Sequence, residues 1–154
     1  MNPITLIAKK MTERTASRRT ARQLGAVARR WEMPLGADSS VWPSVAGLVH
    51  LRTGAPYGMS KAAMIQLTRN LAVEWAGEGV RVNAVAPWYI RTPLADQVLQ
   101  DAGYRQAVLD RTPMGRVGEV EECARAIAFL ALPAASYITG ACLPVDGGFS
   151  VYGF

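Results

Sequence analysis

Apolar and polar positions alternate between two periods along most of the chain. From residue 56 to 78 the apolar residues recur at helical spacing, with Met64, Leu67, Leu71 and Trp75 on one line and Ile65, Ala72 and Ala76 near another. Pro56 in the first turn and Gly77 and Gly79 at the far end bound this helix. Two apolar lines call for two packing partners. Residues 81–86 alternate valine and alanine with polar residues and stop at Pro87, the pattern of a short strand opening into a loop. Residues 93–116 predict a long connection with short helices at 94–99 and 104–110, and connections of that length tend to be lids or binding loops. An amphipathic stripe over 119–132, closed by Pro133, predicts another helix, and 141–145 predicts a last strand before the Gly147-Gly148 turn.

Strands alternating with helices predict an α/β fold with a parallel sheet and crossover connections. Ligands in such sheets bind beyond the carboxyl ends of the strands. That rule brings Ser44, the loop after Pro87 and the start of the 56–78 helix to one place. Residues 1–38 do not share the pattern: rich in arginine, alanine and threonine, they show no convincing stripe at either period. They are expected to form a basic leader, weakly helical or poorly ordered, ahead of a folded region at 39–154.

The charge follows the same division. The chain carries +5 overall; residues 1–40 hold eight Lys/Arg against three Asp/Glu, and residues 41–154 hold nine of each. The basic character therefore belongs to the leader, whose composition suits a transit peptide or a nucleic-acid contact as well as a solvated tail; the last reading is preferred. Half the chain is apolar, enough for one domain with a core, and no stretch of 18 uncharged apolar residues predicts a membrane span. Cys123 and Cys142 lack C-x-x-C spacing and sit in apolar surroundings, which favours buried free thiols over a disulfide or metal site and fits a reducing, cytoplasmic setting. No cluster of His, Cys, Asp or Glu has metal-ligand spacing.

The candidate chemistry lies in Tyr57 and Lys61, four residues apart on the predicted helix, with Ser44 upstream. Residues i and i+4 share a helix face. A phenol ionises near pH ~10, too high for good base catalysis at neutral pH, and a cation a few Å away favours the phenolate. A serine hydroxyl can hydrogen-bond a substrate oxygen without ionising. Tyr-x-x-x-Lys alone is weak, since a solvent-facing pair gives the same spacing; however, Lys61 is the only lysine among the nine basic residues of 41–154. His50, the only histidine, invites a Ser44-His50 hydrolase reading, but Ser44 follows a proline and lacks a G-x-S-x-G elbow, so a rim or exposed position is expected.

Taken in order, Ser44-Val45-Ala46-Gly47, Tyr57 to Lys61, Arg81-Val82-Asn83-Ala84-Val85-Ala86-Pro87, Thr112-Pro113-Met114-Gly115-Arg116 and Val145-Asp146-Gly147-Gly148 resemble the second half of a short-chain dehydrogenase/reductase, most of all its tropinone-reductase-like members. The resemblance implies a partial doubly wound parallel sheet, the back half of a Rossmann-type fold. It also implies NADP- or NAD-dependent interconversion of a secondary alcohol and a ketone. In that reading Ser44, Tyr57 and Lys61 are catalytic. Tyr57, Lys61, Pro87, Ile90 (through its backbone) and Thr92 meet the nicotinamide end of the cofactor. Trp88, which stands where the family usually has glycine, lines the substrate together with Leu94, Val98 and Tyr104, although loop and lid packing would explain the same residues. Helix 56–78 is expected to pair with its counterpart in a second copy.

A pyrophosphate-binding T-G-x-x-x-G-x-G or G-x-G-x-x-G turn does not occur, nor does the N-N-A-G segment. Gly77-Glu78-Gly79 is a helix stop. Where the family's preceding strand should run stands Ser39-Ser40-Val41-Trp42-Pro43, and proline breaks a central ladder. The expectation is a back half that retains the proton-transfer residues without the cofactor's main anchor. The competing reading is a catalytically inactive interaction module built on helix 56–78.

Overall fold

The computed structural model describes residues 43–153, Thr53 excepted. The leader at 1–38 and most of the strand position at 39–43 lie outside the described residues; Pro43 is buried and not in a strand. Ser44 caps a short 3-10 turn, Val45–Gly47, by accepting the Ala46 N–H at 3.2 Å. Helix α1 follows at Ala55–Ala76, entered through Gly54 at φ 91° and with proline in its first turn. It ends two residues before the expected position. Glu78 and Val80 both donate to the Trp75 carbonyl and Gly79 turns at φ 73°, which closes the last turn tightly.

Strand β1 spans Ala84–Pro87 and β2 spans Cys142–Val145; they pair in parallel, with Ala84 beside Cys142 and Pro87 beside Val145. These two strands form the sheet among the described residues. Between them run α2 (Pro93–Val98), α3 (Ala102–Asp110) and α4 (Val120–Ala131). Thr92 and Asp101 cap α2 and α3 through their side chains, and the Glu122 carboxylate accepts the Glu119 N–H at the start of α4 at 2.8 Å.

Strand β1 starts three residues later than its alternating pattern predicts, because residues 81–83 are occupied elsewhere. Asn83 donates to the Ile138 carbonyl (2.9 Å) and accepts from the Ala141 N–H (3.0 Å), Val82 bonds Thr139 and Gly140, and Arg81 reaches Ile138. The Asn83 amide and the Thr139 hydroxyl thus replace ladder bonds and, with Arg81, pin the turn that feeds β2.

The core is built from small residues. Val45, Ala84, Val85, Ala86, Cys123, Leu130 and Phe149 are buried, joined from α1 by Ile65 and Ala72. Only one line of α1 is buried, Ile65, Thr68 and Ala72. Its second apolar line stays open among the described residues, with Leu67 exposed and Leu71 and Trp75 half-buried. Both cysteines are free thiols, Cys123 buried and Cys142 half-buried. No helix among the described residues is long and apolar enough to cross a membrane.

Candidate active site

Close backbone contact, made possible by glycine, seats the Ser44 turn on the first turns of α1. A Cβ at Gly47 would stand 2.7 Å from the Lys61 carbonyl carbon and 2.8 Å from the Ala62 nitrogen; one at Gly58 would stand 3.2 Å from the Ala46 oxygen. Side chains there would push the turn off the helix. The Ser44 hydroxyl also lies 3.5 Å from the Pro87 carbonyl, at the carboxyl end of β1. Serine turn, helix start and strand end therefore meet as the strand-end rule predicts.

On α1 the Lys61 ammonium stands 5.3 Å from the centre of the Tyr57 ring. The i, i+4 geometry inferred from spacing is thus realised, and the phenol remains open, at 41% exposure. His50 is exposed, consistent with its expected rim position. Among the described residues, no three His, Cys, Asp or Glu side chains gather as a metal site.

After β1 the chain makes an isolated parallel bridge at Ile90 and Gly118. Arg91 N–H donates to the Gly118 carbonyl (2.8 Å) and Gly118 N–H to the Tyr89 carbonyl (3.0 Å). In that pattern the bridging residue's own N–H and C=O face the other way, and those of Ile90 have no backbone partner among the described residues. Two residues on, the Thr92 oxygen accepts the Ala95 N–H at 3.2 Å. Its hydroxyl proton remains for another acceptor.

The proposed substrate wall divides. Leu94 is 73% and Val98 43% exposed on α2. Trp88 is engaged: its indole stacks on Phe149 (3.8 Å between centres, 9° between planes), meets Tyr89 edge-on, and donates Nε1–H to Thr112 Oγ1 at 3.1 Å. Thr112 is buried and donates in turn to the Val108 carbonyl at the end of α3. Tyr104 bonds Tyr89, hydroxyl to hydroxyl, at 2.5 Å.

Sequence reasoning assigned no role to Tyr89 or Phe149, and none to Thr112 beyond its place in the Thr112-Pro113-Met114-Gly115-Arg116 motif. For Tyr89 the local signal was the adjacent aromatic pair Trp88-Tyr89 directly after a strand end. Burial first, then the bond to Tyr104 and the charges of Tyr104 and Tyr57, push the Tyr89 phenol well above its usual range.

A cleft of about 280 Å³ borders this region through Trp88, Tyr89 and Ile90 and continues to Arg116, Glu122 and Asp146. Ser44, Tyr57 and Lys61 do not line it. The site is therefore located by its chemistry and strand ends, and the cleft is its neighbour. Arg116 pairs with both Glu122 oxygens at 2.7 and 2.8 Å, which holds the exposed Glu122 carboxyl down at about 2.

A family model described as enoyl-(acyl carrier protein) reductase matches residues 16–150. The chain belongs to the short-chain dehydrogenase/reductase family. A tropinone reductase homolog of Arabidopsis thaliana is 59% identical over 111 residues, 72% of this chain and 42% of the relative. Among solved structures, a gluconate 5-dehydrogenase of Burkholderia cenocepacia in complex with NADP and tartrate superposes with a TM-score of 0.69 at 36% identity, covering 72% of this chain and 44% of that one. A 4-hydroxyisoleucine dehydrogenase complexed with NADH gives 0.69 at 29% identity, covering 72% and 46%.

The chain thus matches less than half the length of these relatives and is tropinone-reductase-like within the family. Short-chain dehydrogenases/reductases are NAD(P)-dependent oxidoreductases acting on small molecules. The residues described suit the nicotinamide end of such a cofactor: Ile90 offers an outward-facing N–H and C=O, and Thr92 a hydroxyl proton beside them.

Proposed function

We propose that the chain carries the proton-transfer half of an NAD(P)-dependent interconversion of a secondary alcohol and a ketone, with Tyr57 as general acid/base. One observation carries this reading: the Lys61 ammonium 5.3 Å from the Tyr57 ring centre, on helix turns against which the Ser44 turn is seated. The bound cofactor supplies or accepts hydride at the reacting carbon.

The chain's own residues handle the oxygen. In the reductive direction the Tyr57 hydroxyl gives its proton to the carbonyl oxygen, and in the oxidative direction it takes the proton back. Lys61 sets a positive charge beside the phenolate that donation leaves, and also serves the cofactor ribose. Ser44 donates a hydrogen bond to the substrate oxygen without ionising. Ile90 and Thr92 hold the carboxamide, with Pro87 shaping the turn that presents them. Trp88, Leu94, Val98 and Tyr104 form the substrate side. The NADP-bound gluconate 5-dehydrogenase supports NADP as the first cofactor to try.

The open apolar line of α1 supports pairing with a second copy, and the free thiols suit a reducing cytoplasm. The basic leader at 1–38 remains part of the proposal as a segment distinct from 39–154.

The test is reduction of a ketone panel by the purified chain with NADPH or NADH, followed as loss of reduced cofactor. Replacing Tyr57→Phe should cut the rate by roughly 10²- to 10⁴-fold, the usual contribution of a positioned acid/base. Equal rates in the two proteins, or no turnover while reduced cofactor is bound, contradict the proposal.

A further inference from the structure

Tyr89 and Tyr104 form a phenol pair that links the loop after β1 to helix α3. Their rings meet edge to face, 6.1 Å between centres. Two phenols carry two donor protons and four acceptor lone pairs; the bond between them uses one proton and one lone pair. Neither hydroxyl has another partner among the described residues. One half-buried O–H therefore has no acceptor within the described protein.

The pair's surroundings decide what that proton can do. Trp88 braces Tyr89 from one side, edge-on at 4.6 Å, and is itself held by Phe149 and Thr112. The pair is consequently fixed in place. The Ser44 hydroxyl lies 3.5 Å from the Pro87 carbonyl, two residues before Tyr89, so the pair starts from the strand end where the reacting oxygen would be handled. Burial keeps the Tyr89 phenol protonated throughout the working pH range, so it offers hydrogen bonds and no charge.

We propose that Tyr89, braced by Trp88 and paired with Tyr104, is a specificity-determining residue whose phenol pair donates a hydrogen bond to a second neutral oxygen on the substrate, close to the carbon that reacts. The favoured substrates are then hydroxyketones or diols, in preference to simple ketones and alcohols of the same skeleton. A substrate that covers the pair but lacks the second oxygen displaces water from that donor without replacing its bond, and sites built to bond a substrate hydroxyl discriminate on that basis. This inference rests on the proton-transfer role proposed for Tyr57.

The test uses the full 154-residue chain with NADPH and two probes, 2-hydroxycyclohexanone and cyclohexanone. Binding is read by ligand-observed NMR and turnover by cofactor absorbance. Wild type should bind the hydroxyketone about three- to tenfold tighter, the range expected of one neutral hydrogen bond. Tyr89→Phe and Tyr104→Phe, each keeping its ring, should bring the two probes within about twofold of each other.

Equal affinity for both probes in wild type overturns the inference, as does a preference that survives in both variants; the phenols would then be only a latch between loop and lid. Turnover without preference sinks the specificity role and leaves the proposed reaction standing. Preference without turnover does the reverse. A wild type that neither binds nor turns over either probe overturns both.

Discussion

The turn that carries Ser44 and the loop after β1, the root of the expected lid, are both firmly held, by opposite means. Backbone rests on backbone at the first, with Gly47 against Lys61 and Ala62 and Gly58 against Ala46. Side chains interlock at the second, where Trp88 lies between Phe149 and Tyr89 and bonds Thr112, and Gly147 and Gly148 admit Thr112 and Pro113. The difference suits the proposed function. In that reading Tyr57 stays open to meet substrate and is not fixed by its own burial, while the backbone beneath it is fixed. The lid root has no reacting group to expose and can be locked by the large side chains themselves.

Removing the lock should have the largest effect on stability. Trp88→Ala should cost about 3 kcal/mol, the low end for a large aromatic because the indole is only half-buried; urea denaturation measures it. A loss well under 1 kcal/mol would mean that the lid root is held by something other than the aromatic stack.

Gly47→Ala probes the other region, at about 2 kcal/mol, since the new methyl meets two backbone atoms that cannot step aside. Gly118→Ala is the matched control. Its methyl would meet the end of the Ile90 side chain at 2.7 Å, which can rotate away, so the loss should be nearer 1 kcal/mol. Equal losses would erase the contrast between rigid and yielding contacts. Thr92→Ala should remove the cap of α2 for about 1 kcal/mol and weaken cofactor binding at the same time.

The remaining effects concern pH. Burial raises the Cys123 thiol from 9.0 to about 11. A raised value means that the folded state favours the neutral thiol, so its contribution is complete below pH 9 and is lost as pH climbs towards 11. Cys123→Ala should flatten that alkaline decline in a chemical-denaturation series. Glu122 has the opposite sign: its lowered value makes the contribution complete above about 4.5 and lost as pH falls towards 2. Because the pair with Arg116 is exposed, Glu122→Gln should flatten the acid limb only slightly.

Elements governed by local signals were legible in the sequence. Pro56 and Gly77 bounded α1 to within two residues, Pro133 closed α4, and the i, i+4 spacing placed Lys61 beside Tyr57. The first residues of β1 were misjudged because Asn83 and Val82 bond the 138–141 turn, a choice made by partners distant along the chain. Trp88 was open to both a substrate and a packing role. Its packing depends on Phe149 and Thr112, which no period or motif connects to it. Tyr89 was overlooked because its meaning lies in a hydroxyl partner on the lid, visible only once α3 is folded back.

The central claim is that the nicotinamide end of the cofactor is met by Ile90, Thr92 and Lys61 beside Tyr57. An NMR titration of the isotope-labelled chain with NADPH tests it most directly. Saturable shifts are expected at the Ile90 and Thr92 amides and at the Tyr57 ring and Lys61 side chain. No saturable change at these positions, or change confined to the neighbouring cleft at Arg116 and Gly147, would contradict it.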